Sequence, residues 1–150
     1  MDLNMTRRKA LMMMGSGGAI LNAGCLSITS EQPGPIDFEL LNFTEQTHLV
    51  DVLIRDTEGN IVLEEEYEIS DRIPEKGANM IQEKGFVEAT NTDTFDVIVY
   101  LSEEASEEST FQISCNKEGT RDVFYAEIRE TSNGRDTYIE FQQSYCSSGQ

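Results

Sequence analysis

The sequence predicts an all-β domain: an antiparallel, immunoglobulin-like β-sandwich of about seven or eight strands that follows an N-terminal export segment. Two observations predict this class. Beyond residue 35, apolar and polar residues alternate with a period of two in segment after segment, as half-buried strands require. After residue 30, no stretch carries the apolar spacing of a helix of about three turns.

The alternation places the predicted strands at residues 36–43, 47–56, 61–69, 80–89, 94–102, 111–115, 123–131 and 137–146. In the third of these, apolar side chains share one parity and Glu64, Glu66 and Glu68 share the other, so one face is predicted to be wet. Glu65 breaks the apolar parity, which indicates a strand edge or a bulge. Gly59 suits the hairpin before this strand, and the Ser- and Glu-rich residues 102–109 predict a hydrophilic connection.

The first 25 residues have the order of an export signal rather than of a folded element. Arg7, Arg8 and Lys9 form a positive start, and no further charge occurs until Glu31. A membrane-spanning helix needs about 20 predominantly apolar residues, whereas residues 15–24 include several glycines, a serine and an asparagine. The segment is therefore predicted to direct export and then to be removed.

The pair Arg7 and Arg8, followed by moderate hydrophobicity, resembles a twin-arginine export signal. The sequence LNAGC at residues 21–25 resembles a lipobox, although Asn22 departs from the usual aliphatic residue. The resemblance implies a signal peptide over residues 1–24 and lipidation of Cys25. The polar, proline-containing residues up to 35 are then predicted to be a tether (25–35), and the alternating segments place the β-sandwich domain at residues 36–150. The resemblance also implies a lipid-anchored position on the extracellular face of the cell membrane. An uncleaved N-terminal anchor helix and a soluble secreted form are the alternatives.

The chain is strongly acidic. Without residues 1–24 it holds 27 acidic and 8 basic residues, a net charge of −19. Such a charge repels nucleic acid and anionic lipid headgroups, so neither is an expected direct partner. With carboxylates spread along every segment, the surface resembles that of secreted lipoproteins of extremely halophilic archaea. An acidic mesophilic secreted domain is the alternative, since high net charge also favours solubility.

The chain has three cysteines, an odd number for a secreted protein. Lipidation of Cys25 would leave Cys115 and Cys146 to form a disulfide, and two unbridged thiols are the alternative. In a flat three-strand meander, the outer strands would lie about 9.6 Å apart, beyond the ~7 Å between Cα atoms that a disulfide tolerates. The bond therefore requires the final strand to cross to the other sheet or to pair beside the strand of Cys115.

Motifs for catalysis are absent from the sequence, and no enzyme activity, cofactor or metal site is predicted. His48 is the single histidine, which excludes a blue-copper site with two histidine ligands, and it is predicted to be a surface imidazole rather than a triad base. Glu64, Glu66 and Glu68 succeed one another at about 6.6 Å, too far apart to share one Ca²⁺ ion without other strands. Asn42, Phe43 and Thr44 form an N-glycosylation acceptor pattern, and an ordinary strand-end role for Asn42 is the alternative.

These features predict a membrane-tethered extracellular β-sandwich module for protein interaction or cell-envelope structure. Its expected partners are the membrane, through the lipid anchor, and an envelope or membrane protein of unknown identity. The alternative function is a cation- or ligand-binding accessory domain of a membrane transport or assembly system.

Overall fold

The computed structural model describes residues 32–102, 105–114, 116 and 121–144. They form eight strands and no helix: β1 (Gly34–Asn42), β2 (His48–Asp56), β3 (Ile61–Ile69), β4 (Asn79–Ala89), β5 (Thr94–Ser102), β6 (Ala105–Gln112), β7 (Val123–Glu130) and β8 (Thr137–Gln143). No helix that could cross a membrane occurs among them. The predicted all-β sandwich is confirmed.

The strands form two four-stranded sheets that pack face to face. The first sheet has the order β4-β1-β7-β8, and the second has the order β3-β2-β5-β6. Neighbouring strands are antiparallel, with the exception of β1 and β7, which pair in parallel from Asp37 opposite Val123 to Asn42 opposite Ile128. Parallel neighbours require a crossover connection. Here the connecting chain forms all four strands of the second sheet, together with β4 of the first.

The core lies between the sheets and is built from the alternate residues that the sequence pattern marks as apolar. In the central part of β1, β2, β5 and β7, every second residue is almost wholly buried, and Phe38, Ile54, Val97 and Phe124 are examples. The rings of Phe111 and Phe124 stack at 4.5 Å between centroids, which joins β6 of the second sheet to β7 of the first. Each such side chain, when fully buried, stabilises the fold by roughly 1.5–3 kcal/mol.

Local hydrogen bonds explain the predicted β2–β3 hairpin. Asp56 Oδ1 accepts hydrogen bonds from the backbone N–H groups of Glu58 at 2.9 Å and Asn60 at 2.8 Å. Gly59 has a φ of 83°, which costs glycine little. The side-chain hydrogen bond from Asn60, with help from the backbone donors, holds the pKa of Asp56 below its ordinary value.

A bulge between β1 and β4 brings an aromatic side chain into the core. Ile36 lies opposite Val87 and Phe38 opposite Glu83, so three residues of β4 face the single residue Asp37. Gly85, with a φ of 60°, donates its N–H to Asp37 Oδ1 at 2.7 Å. The shift allows Phe86 to pack against Phe95 and Phe124.

The predicted bounds of the sixth strand, residues 111–115, were wrong, because β6 runs from Ala105 to Gln112. Residues 105–109 were expected to belong to a hydrophilic connection, but they form most of β6. This strand lies at the edge of the second sheet and pairs with β5 alone, so most of its side chains are exposed on both faces. Since side chains on both faces of β6 are exposed, polar residues occupy both, and the sequence shows no alternation of apolar and polar residues that would predict this strand.

Candidate functional site

The outward face of the second sheet carries apolar side chains beside carboxylates. On β2, Val50, Val52 and Ile54 point into the core, so Leu49, Asp51 and Leu53 point outward. The strand register places Leu53 between Glu64 and Ile98, and Asp51 between Glu66 and Tyr100. Apolar and acidic side chains are thus neighbours across three strands.

These residues line an open groove of about 920 Å³. We call it the acidic groove and define it by Leu49, Leu53, Tyr100, Asp51, Glu64 and Glu66. Leu49 keeps 57% of its surface exposed and Tyr100 keeps 38%. Singly exposed apolar residues are ordinary, but here they are grouped in one groove on a highly charged chain.

The carboxylates of the groove are not neutralised by other side chains among the described residues. Asp51, Glu64 and Glu66 make no side-chain hydrogen bond or ion pair within the part of the chain that the structure describes. No group of three or more potential metal ligands gathers among the described residues. The groove therefore presents negative charge to whatever approaches it.

Glu65 lies on β3 as the sequence suggested, at the edge of the second sheet. It is in register with Val52, on the core-facing parity of β3, yet its side chain is exposed. Tyr67, two residues further on, donates from its hydroxyl to Glu83 Oε1 at 3.0 Å. Burial of the ring, followed by that hydrogen bond, raises the pKa of Tyr67 far above its ordinary value.

The outward face of the first sheet differs, because an arginine there pairs with two carboxylates. Arg129 binds Glu127 at 2.6 Å and Glu140 at 3.1 Å. Its guanidinium also lies 4.2 Å from the centre of the Phe43 ring, a cation–π distance. The contrast distinguishes the acidic groove, because its carboxylates have no such cation beside them among the described residues.

Asn42 has a structural role. It is fully buried at the end of β1, and its Nδ2 donates to Gln46 O at 2.7 Å and to Ser70 O at 2.9 Å. Its Oδ1 accepts from Thr44 N at 2.9 Å and from Thr44 Oγ1 at 2.8 Å. A glycan on Nδ2 would have to replace one of these bonds and find space where none is open. The structure therefore favours the strand-end role over use of the acceptor pattern.

His48 belongs to the same network. Its Nε2 lies 2.8 Å from Thr44 Oγ1, and the residue is half-buried rather than fully exposed. Burial lowers the pKa of His48 because it penalises the charged imidazolium, and the nearby charge of Glu130 opposes this shift. The imidazole thus helps to hold the β1–β2 loop.

The remaining predicted site residues, Arg7, Arg8, Cys25, Cys115 and Cys146, lie outside the described residues. The strands that lead to the last two cysteines are described. β6 belongs to the second sheet and β8 to the first, which is one of the two arrangements that a Cys115–Cys146 bond requires.

The groove was missed by the sequence analysis, although residues 47–56 carried a signal. Leu49 and Leu53 are apolar on the parity opposite to Val50, Val52 and Ile54, so this strand is apolar on both faces. For a strand with one face on the core, that pattern indicates a second buried or binding face.

Comparison of the chain with protein-family models and with curated proteins finds no match.

Proposed function

We propose that the chain is a membrane-tethered extracellular module that binds another envelope protein through the acidic groove. The observation that carries the proposal is a group of apolar side chains in one groove on an otherwise strongly charged surface: Leu49 and Tyr100 are exposed, and Leu53 between them is half-buried. Exposed apolar groups bordered by polar residues are typical of protein-binding sites. Tyrosine is also enriched where such interfaces are energetically important.

The tether follows from the export segment. With lipidation at Cys25 and the first strand beginning at Gly34, nine residue steps separate the anchor from the domain. An extended chain of that length spans at most about 32 Å. The domain would thus stay close to the membrane surface, where it would meet membrane and envelope proteins.

Site-directed photo-crosslinking in native membranes tests the groove. A benzoylphenylalanine at position 100 is expected to form a covalent adduct with a protein partner. Tyr138 provides a matched control, since it is 40% exposed against 38% for Tyr100 and lies on the other sheet. Adduct at position 100 and not at position 138 would support the proposal. Equal yields at both positions, or none at either, would contradict it.

The anchor has its own test. Membrane fractions should contain a mature form that begins at Cys25, and the substitution Cys25→Ser should release or misprocess the protein. An intact Met1 on the mature, membrane-bound protein would reject cleavage and favour an anchor helix.

A further inference from the structure

We infer that the acidic groove takes a cationic peptide segment of a different protein, one that carries lysine or arginine beside apolar side chains. This inference rests on the proposed function and names the chemistry of the partner. Two independent features of the groove point to it: a partly exposed apolar floor, formed by Leu49, Leu53 and Tyr100, and a carboxylate rim without cations of its own.

The apolar floor determines what a partner gains by binding. Leu49, Leu53 and Tyr100 line the groove on one face of the sheet. Side chains of this kind gain stability when a partner removes them from water, at about 25 cal/mol for each Å². A purely hydrophilic cation would leave this surface wet, so the segment must also contribute apolar side chains.

The rim determines the charge of the partner. Glu64 is opposite Leu53 and Asp51 is opposite Tyr100, so these two carboxylates adjoin the apolar floor directly. Glu66 lies opposite Asp51 and extends the rim. Within the described strands of this sheet, the register places one cation on this face, Arg55, and it lies opposite Asp96. A ligand that covers the floor therefore brings its flanking groups next to carboxylates, and cationic groups are the ones that gain from that position.

A second copy of this chain fits poorly. Symmetric contact through the groove would bring Asp51, Glu64 and Glu66 close to the same residues of the other copy, and like charges across an interface disfavour it. Anionic surfaces such as nucleic acid or acidic lipid meet the same repulsion. The charge of the rim thus selects a partner that differs from this chain.

The inference is tested by titrating the mature, full-length domain with three labelled synthetic peptides and following fluorescence anisotropy. The first mixes lysine and leucine, the second has glutamate in place of every lysine, and the third has serine in place of every leucine. All titrations use the lowest KCl concentration at which circular dichroism shows the domain folded. We expect the lysine–leucine peptide to bind and both companion peptides to bind at least about tenfold more weakly, since a tenfold change needs only a few exposed ion pairs or one buried side chain.

Variants then locate the binding. The double substitution Glu64→Gln, Glu66→Gln should weaken binding of the lysine–leucine peptide on the order of fivefold, as two exposed ion pairs imply. The matched control is Glu75→Gln, Glu88→Gln, which changes the net charge by the same amount at exposed residues outside the groove. Tyr100→Ser should also weaken binding, and circular dichroism must show every variant folded.

The failures of the two proposals can be distinguished. Equal binding of the lysine and glutamate peptides, or equal effects of the two double variants, would overturn the cationic partner and leave the crosslinking result at position 100 unaffected. Absence of a crosslinked protein at position 100 would contradict the proposed function, even if the lysine–leucine peptide bound in solution.

Discussion

Gln143 on β8 donates its side-chain N–H to the backbone carbonyl of Gln112 on β6 at 2.6 Å, which joins the ends of strands from opposite sheets. Each of these residues stands three positions before a cysteine, Cys146 and Cys115 respectively. The rings of Phe111 and Phe141 meet beside this contact, 5.9 Å apart. The described strand ends that precede the two cysteines, Gln112 on β6 and Gln143 on β8, therefore lie close together.

We accordingly predict that Cys115 and Cys146 form a disulfide in the exported protein. Peptide mapping without reductant should recover the linked peptides. In the chain-entropy model, the bond stabilises the fold by about 3.5 kcal/mol, and the double variant Cys115→Ser, Cys146→Ser should lose a stability of this order in denaturant unfolding. Recovery of both cysteines as free thiols from freshly isolated protein would contradict the prediction.

The second prediction concerns the buried amide of Asn42. Asn42→Asp keeps an acceptor for Thr44. It also replaces the Nδ2 donor with an oxygen, so the carbonyls of Gln46 and Ser70 lose the hydrogen bonds that they accept in the native protein. We expect a loss of about 2–3 kcal/mol in the free energy of unfolding, measured by chemical denaturation.

Asn133→Asp is the matched control, because Asn133 uses its Oδ1 as an acceptor from Thr131 and Arg135, and aspartate preserves both bonds. It should change stability by less than about 0.5 kcal/mol. Intact-mass measurement of the native protein should also find no glycan on Asn42. A fully glycosylated Asn42 in a stable, folded domain would contradict the structural role given to this residue.

The third prediction concerns Gly34, where the start of β1 packs against Asn116. Asn116 Nδ2 donates to Gly34 O at 2.8 Å and also to Ala89 O. A Cβ at position 34 would lie within 2.8 Å of that same nitrogen, so Gly34→Ala should destabilise the domain by about 1–3 kcal/mol. A double-mutant cycle with Asn116→Ala checks the cause, since the cost of Gly34→Ala should largely disappear once the Asn116 side chain is removed. Additive effects would show that the clash is not the reason.

The fourth prediction is a pH dependence that originates from His48. Because burial lowers its pKa in the folded state below the ordinary value of 6.5, the unfolded chain binds the proton more tightly. The stability that depends on the neutral imidazole is therefore present above pH 6.5 and is lost as the pH falls from there towards the lowered folded pKa. Unfolding free energies of the native protein and of His48→Gln, measured as a pH series, should differ in slope in this window. Parallel curves would rule out His48 as the source.

The fifth prediction concerns salt and follows from the net charge of −19 that residues 25–150 carry. The Debye length falls from about 10 Å at 0.1 M to about 3 Å at 1 M, so molar KCl should raise the melting temperature of the domain progressively. A few millimolar Ca²⁺ or Mg²⁺ should add little once that salt is present. A large extra stabilisation with stoichiometric heat in calorimetry would favour the cation-binding alternative, and full stability at low salt would contradict the halophilic interpretation.

The strands show how far local pattern reaches. Residues 61–69 and 94–102 were placed by alternation alone, and β3 and β5 have those bounds. Alternation works there because the core-facing parity of both strands is largely apolar, and even on the edge strand β3 Leu63 and Tyr67 are partly buried. It fails for β6 because residues 105–109 are only Ala, Ser and Glu, so no large apolar side chain alternates with the polar ones.

What the sequence by itself determined is the class of the fold, the order of the strands along the chain and the acidity of the surface, since each depends on residue type and local spacing. The tertiary structure alone decided which strands are neighbours, including the parallel pair β1 and β7 and the opposite sheets of β6 and β8. It also decided that Asn42 is buried and that Leu53, Glu64 and Tyr100 share one groove. These are contacts between residues distant in sequence, and their energies depend on the packing of both sheets rather than on any single segment.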